Sequence, residues 1–331
     1  MIRSLICLTM LALAGCAGGD ESATRPAVPA GERWLFPVRV DEAVGFIDQS
    51  GTLVVEPRFL SALEPSEGTV AVIEDETWGF IDFSGNWVIE PRFDQVGPFS
   101  QGLAGFAKSL YGGYVDKQGE IAIDPVFGAA RRFSEDRAAV QVSGRWGFID
   151  LDGNLVIDPR LEEARDFSEG LAAARLPEGP WGYLAPDGSW TIEPAYQDAY
   201  SFSEGAAAVQ VEDGTWGFID PQGSWLVEPG FFGAGVFAQG RAAVRKGLKW
   251  GFIDAEGREV IEPVYSRVGK FSEGLAPVET REGWGYVGLG GEVVVPPSYT
   301  RAEPFSRGLA AVRAGENEWK YLDRTGRVVW E

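Results

Sequence analysis

The sequence contains no histidine. That excludes Ser-His-Asp and Cys-His nucleophile arrangements and zinc sites built on imidazole. Cysteine is nearly as scarce. Cys7 and Cys16 are the only two, both within the first sixteen residues, so the rest of the chain has no disulfide and no thiol chemistry. Basic residues are outnumbered, 29 against 49 acidic, for a formal charge of −20. A nucleic-acid binder needs a cationic footprint to displace counterions, and this composition does not supply one. Charge of one sign instead keeps a strand-rich surface soluble and discourages association between sheet edges. There is no P-loop, no GxGxxG before a helix, no cysteine-based metal spacing and no stretch of helical periodicity. What is abundant is glycine (44), proline (20) and apolar residues (45%, with 12% aromatic). That composition buries a core, excludes disorder and reads as many short strands joined by turns.

The N-terminus, MIRSLICLTMLALAGC, carries one basic residue, Arg3, and then an apolar run from Leu5 to Ala14. The run is too short for an ordinary membrane-spanning helix and fits a secretory signal. Leu13-Ala14-Gly15-Cys16 resembles the lipobox of bacterial lipoproteins. The resemblance implies cleavage before Cys16 and lipid attachment to it. Ala17 stands where an aspartate would signal inner-membrane retention, so the resemblance implies the outer membrane. The expected organisation is a signal peptide at 1–15, a lipidated cysteine with a polar, proline-containing tether at 16–33, and a repeat domain at 34–331.

The repeat is visible as a column of Trp-Gly pairs: Trp78-Gly79, Trp146-Gly147, Trp181-Gly182, Trp216-Gly217, Trp250-Gly251 and Trp284-Gly285. Val44-Gly45, Gly112-Gly113 and Trp319-Lys320 complete the grid, with successive spacings of 34 or 35 residues. A length of 331 residues suggests two domains, but nine copies leave no room for a second one. Twelve residues after the tryptophan position comes an acidic–proline pair, from Glu56-Pro57 to Glu262-Pro263, with Pro296-Pro297 in the eighth copy. An FSEG-like turn follows, at Phe99, Phe133, Phe167, Phe202, Phe237, Phe271 and Phe305, with a weaker PSEG at Pro65. This pattern resembles the WG-repeat family of bacterial proteins over about nine tenths of the chain. The family is defined by its repeats and implies no single activity.

Each unit reads as a three-stranded β-meander: LAAV, then WGFID, then VIE stopping at proline. Asp-x-x-Gly closes WGFID as a turn, with the aspartate accepting backbone N–H groups. The fold class is therefore all-β, tandem repeats of 34–35 residues. Both chain ends finish on whole units, which favours an open solenoid-like array; the alternative is a closed, propeller-like ring. The strand glycine predicts a notch filled by a large residue of the same or the next unit.

Weighed as chemistry, the aspartate column does not hold calcium ligands: DLDGN at Asp150 lacks the further acidic positions, and other copies read DFSGN, DPQGS and DAEGR. The repeated glutamates of FSEG and IEP lack the asymmetry that a glycosidase pair requires. No metal, cofactor or catalytic residue is expected, and the chain is not expected to be an enzyme. The WG tryptophans are read as packing. A second, irregular column, Trp87, Trp190 and Trp225, is the aromatic set expected to contact a ligand, through stacking on sugar rings. The segments between LAAV and WG differ most between copies, so a specific surface is expected there. The function expected is a membrane-anchored, non-catalytic scaffold for protein partners in the cell envelope. The alternative is binding of peptidoglycan or polysaccharide through exposed tryptophans.

Overall fold

Short apolar stretches punctuated by glycine and aspartate give strands and turns, and no helix, among the described residues, 33–316 and 318–331 of the computed structural model. The strands form nine small antiparallel sheets, each a meander in chain order. We number these blades 1 to 9: residues 36–59, 61–93, 95–127, 129–161, 163–196, 198–231, 233–265, 267–299 and 301–330. Blades 2 to 9 have four strands and blade 1 has three. The three-stranded unit expected from the sequence is thus corrected to four. Blade 2 shows why the extra strand is hard to read: it is the pair Ser61–Ala62, set against Thr69–Glu74, Thr77–Asp82 and Trp87–Phe93. A two-residue strand carries no alternation.

The turn between first and second strands is the FSEG motif. Ser66 and Thr69 exchange backbone hydrogen bonds of 2.9 Å, and the two residues between them, Glu67 and Gly68, have φ of 48° and 83°. Positive φ at both central positions is the two-residue hairpin turn whose twist matches that of the strands. A glutamate tolerates this conformation poorly, and it recurs at Glu135, Glu169, Glu204 and Glu273. Its side chain explains why. The Glu67 carboxylate accepts the backbone N–H groups of Gln101 (2.7 Å) and Gly102 (3.1 Å) in the next blade's turn. The same reach joins every successive pair from blade 2 to blade 9, ending with Glu273 and Gly308. The serine of the motif adds a second link, as when buried Ser168 donates to the Phe202 carbonyl at 2.8 Å. The phenylalanine adds a third. Phe80 meets Phe99, Tyr114 meets Phe133, and five further pairs lie at centroid separations of 4.8–5.0 Å across successive blades.

The WG glycine and the acidic–proline pair belong to one feature. Trp78 pairs with Phe93 and Phe80 with Ile89, so two residues of the third strand face four of the fourth. The excess forms a bulge at Glu90-Pro91, and the strand runs on through it to Phe93 rather than stopping at proline. The bulged backbone lies over the glycine. A Cβ on Gly217 would sit 2.7 Å from the Val227 carbonyl oxygen and 2.8 Å from the Pro229 nitrogen. The expected notch therefore exists, but it is chiefly backbone that fills it; in blades 2 and 6 the rings of Trp87 and Trp225 complete the cover. In blade 9 the fourth strand, Val328–Trp330, pairs with Tyr321 and Leu322.

The array closes. Tyr321 of blade 9 donates its hydroxyl to the Pro37 carbonyl of blade 1 at 2.8 Å, and its ring meets Phe36 at 5.6 Å. Trp34, Phe36, Val38, Ile47, Leu309 and Tyr321 form one buried cluster across the join. Arg307, at the glutamate position of the last turn, lies 4.3 Å over Trp34. The open solenoid is thereby corrected to the ring: this is a nine-bladed β-propeller. Among the described residues blade 1 has three strands, and the seam lies beside the first of them. Pro37 pairs with Phe46 as Ala139 pairs with Phe148 in blade 4, and the Ala139 carbonyl accepts from Arg131, the residue after that blade's first strand. In blade 1 the Tyr321 hydroxyl takes that donor's place, and proline presents no N–H needing a partner.

Candidate functional site, the face of variable hairpins

Antiparallel meanders send alternate loops to opposite ends of a blade. The Ser-Glu-Gly and Asp-x-x-Gly turns share one face of the ring, as the contact of Lys117 with the Glu67 carboxylate (3.2 Å) confirms. The hairpins between second and third strands share the other face with the connectors between blades. Ser109 donates its N–H to Asp94 (2.8 Å), and Arg175 pairs with Glu163 (2.5 Å).

The turn face repeats one backbone geometry, with aspartate at the first turn position in seven blades and Ala185 and Gly288 there in blades 5 and 8. In the Asp-x-x-Gly turns Asp82 accepts the N–H groups of Ser84 (2.8 Å) and Asn86 (2.9 Å), and Gly85 follows with φ of 85°. This is turn capping, and the same geometry holds at Asp48, Asp150, Asp220, Asp254 and Asp323. The hydrogen bonds hold the carboxylates of Asp48, Asp82, Asp150, Asp254 and Asp323 low. Asp323 reaches about 2, through the Thr325 hydroxyl first and then Arg327 and backbone N–H groups, against a smaller opposing effect of burial. At Asp82 burial pushes up, and hydrogen bonds from Asn86, Ser84 and Gly85 together outweigh it. A lowered native pKa means stability that is present above the ordinary carboxylate range and lost as pH falls through the native value. Stability is therefore expected to fall between about pH 4 and pH 2. Asp323→Asn should flatten part of that fall in acid-titrated thermal melts, and an unchanged acid limb would contradict the assignment.

Among the described residues there is no group of three or more histidine, cysteine, aspartate and glutamate residues placed to hold a metal ion. The carboxylates of the acidic–proline pairs, Glu56, Glu90, Asp124, Asp158, Glu193, Glu228 and Glu262, are each exposed at the bulge of their blade. They stand one per blade in like surroundings, and the ring does not bring two of them together in unlike ones.

The WG tryptophans sit where the hairpins meet the third strands. Trp78, Trp181, Trp216 and Trp284 are buried, while Trp146 and Trp250 are half-buried. Arg131 covers Trp146 at 4.8 Å, Arg267 covers Trp284 at 5.1 Å, and Tyr200 stacks on Trp216 at 5.2 Å. Each of these tryptophans thus has a ring face taken by the protein. In the second column Trp87 and Trp190 are half-buried, Trp87 against Phe59 of blade 1. Trp225 is the most open at 36% exposure, with its edge toward Tyr196. The column is spread over blades 2, 5 and 6 and forms no single cluster. Cys16 lies outside the described residues.

The hairpin face is where the copies differ in the round. Blades 1 and 2 present Asp41-Glu42 and Asp75-Glu76, blade 4 Ser143-Gly144, and blade 6 Glu212 and Asp213. Blades 3 and 7 present leucine tips, Leu110 at 82% and Leu248 at 86% exposure, flanked by Lys108 and by Lys246 and Lys249. These two blades also share an extended first strand, Gln95–Ser100 and Gly233–Ala238, where the others in blades 2 to 9 have two residues. Sequence reasoning passed over the leucines because an isolated apolar residue in a loop has no periodic signature.

A closed ring of repeated four-stranded sheets defines the class: a repeat propeller, a fold that serves generally as a binding scaffold. Matches to the WG containing repeat span residues 45–77, 78–108, 113–146, 146–176, 181–214, 216–250, 250–282 and 284–317. The chain belongs to that family. No curated protein matches the sequence. Among solved structures, it is similar to a eukaryotic initiation factor, with a TM-score of 0.65 at 12% identity over 90% of this chain and 95% of the other. It is also similar to the computationally designed Ika8 protein (TM-score 0.50, 14% identity, 78% and 94% covered). A third is the dihydro-heme d1 dehydrogenase NirN in complex with DHE (0.50, 13%, 80% and 73%). At these identities the likeness is one of fold.

Proposed function

We propose that this chain is a lipid-anchored scaffold of the bacterial cell envelope, held by Cys16 at the outer membrane, whose hairpin face binds protein partners without catalysis. One observation carries the reading. The contacts that hold blade to blade recur around the ring, while the segments that vary between copies fall on a single face. The scaffold does not dictate those tips, so they are free to be fitted to a ligand. Trp34 stands beside the Arg307 turn, on the face opposite the hairpins. The exposure of Trp225 favours a second reading, a glycan contact through that ring.

Affinity capture from envelope extract separates the two. The full chain should recover a reproducible protein partner, and exchanging the tips at 109–110 and 247–248 for Ser-Gly should lose it. Cys16→Ser should move the protein out of the membrane fraction. Failure to recover a partner, or recovery indifferent to the tips, would count against the scaffold. A change in tryptophan fluorescence with peptidoglycan fragments, abolished by Trp225→Ala, would favour the glycan.

A further inference from the structure

Resting on the reading of the hairpin face as the protein-binding face, we propose that a partner it takes is a second copy, docked by the same face about a two-fold axis that passes through blade 9 and between blades 4 and 5. When one ring is turned over onto another about an in-plane axis, the blade order runs in opposite senses, so each blade meets a partner determined by the axis alone. The most cationic hairpin is that of blade 7, with Lys246 and Lys249; the most acidic is that of blade 2, with Glu74, Asp75 and Glu76. The axis that sets these two together fixes all the others. It brings Lys108 of blade 3 over Glu212 and Asp213 of blade 6, and Arg145 of blade 4 over Glu178 of blade 5. One choice of register thus opposes unlike charge at three independent positions, each occurring twice in the dimer, although Lys246 and Arg145 are also paired within their own copy, to Glu259 and Glu162. Blades 1 and 8 then meet with Asp41 and Glu42 against Arg281 and Glu282, and blade 9 meets itself, where Glu318 is already paired with Lys320 at 2.9 Å.

Apolar burial accompanies the charge. Leu110 and Leu248 are the two most exposed large apolar side chains among the described residues, and both stand on the cationic hairpins. A second copy would cover four such tips, together with Leu60 and Phe232 on the adjoining connectors, which are 54% and 55% exposed. The net charge of −20 opposes association at long range. At physiological ionic strength charges beyond about 8 Å are largely screened, while contacts between facing tips persist. A membrane is the poorer occupant, since acidic tips on blades 1, 2, 6 and 9 share this face.

Sedimentation equilibrium of the full chain at 0.15 M salt, with the concentration raised through tens of micromolar, should give twice the chain mass. The paired reversals Lys246→Glu with Lys249→Glu, and Asp75→Lys with Glu76→Lys, should each give a monomer. Combining the four should restore the dimer, which no effect on folding alone would do. A monomeric wild type would overturn the proposal, as would a dimer that survives each reversal alone. A quadruple variant that stays monomeric would overturn the register.

Discussion

Gly217→Ala is expected to destabilise the protein by about 3 kcal/mol, the upper end of what overpacking a core usually costs. A methyl group is the smallest side chain available, yet its carbon would meet the Val227 carbonyl oxygen and the Pro229 nitrogen well inside contact distance. Both atoms belong to backbone held in the bulge of the fourth strand, so neither can yield as a rotamer would. The internal control lies thirteen residues on. Gly230 has ordinary φ and nothing within 4 Å of where a Cβ would stand, so Gly230→Ala should be neutral or stabilising by up to about 1 kcal/mol. Denaturant unfolding of the two variants side by side checks this. Equal stabilities would mean that the WG glycine is not required by the bulge.

Tyr321→Ala is expected to cost about 3–5 kcal/mol, in the range for emptying an aromatic site in a core. The ring fills the seam between first and last blades against Phe36, and its hydroxyl satisfies the Pro37 carbonyl. Tyr321→Phe isolates the second part. It leaves the packing and removes the donor, so about 1 kcal/mol should be lost. Tyr114, Tyr183 and Tyr286 make the corresponding bond to the next blade. Where phenylalanine stands instead, as at Phe80 and Phe148, that joint is held by ring contact and the turn links. Thermal melts in which the alanine and phenylalanine variants fall equally would remove the packing part of this account.

How far the sequence reveals this molecule depends on the range of the contact in question. The grid of Trp-Gly pairs and the Asp-x-x-Gly turns are local patterns, and Asp82 with Gly85 does what its spacing predicts. The four-stranded blade is less legible, because Ser61–Ala62 is too short to alternate and reads as connector. The glutamate of FSEG looks like a solvent-facing turn residue; its partner is an N–H some 35 residues further on, visible only once blades stand side by side. Closure was least legible of all. Whole units at both ends speak for an open array, and what overrides them is a bond between residues 284 positions apart. For the binding surface, variation between copies pointed to the hairpins, but their gathering on one face required the ring.

Everything proposed for that face depends on the chain being a closed ring rather than a row. Native-state hydrogen exchange on the full chain reads this directly, because repeat arrays with free ends open from those ends, while a ring has none. In a ring the amides of Phe36–Ile47 and Leu309–Asp323 should exchange as slowly as those of the central blades and be released with them. Tyr321→Ala should release both segments early and together. Early exchange of both segments in the wild-type chain, unaffected by Tyr321→Ala, would contradict closure.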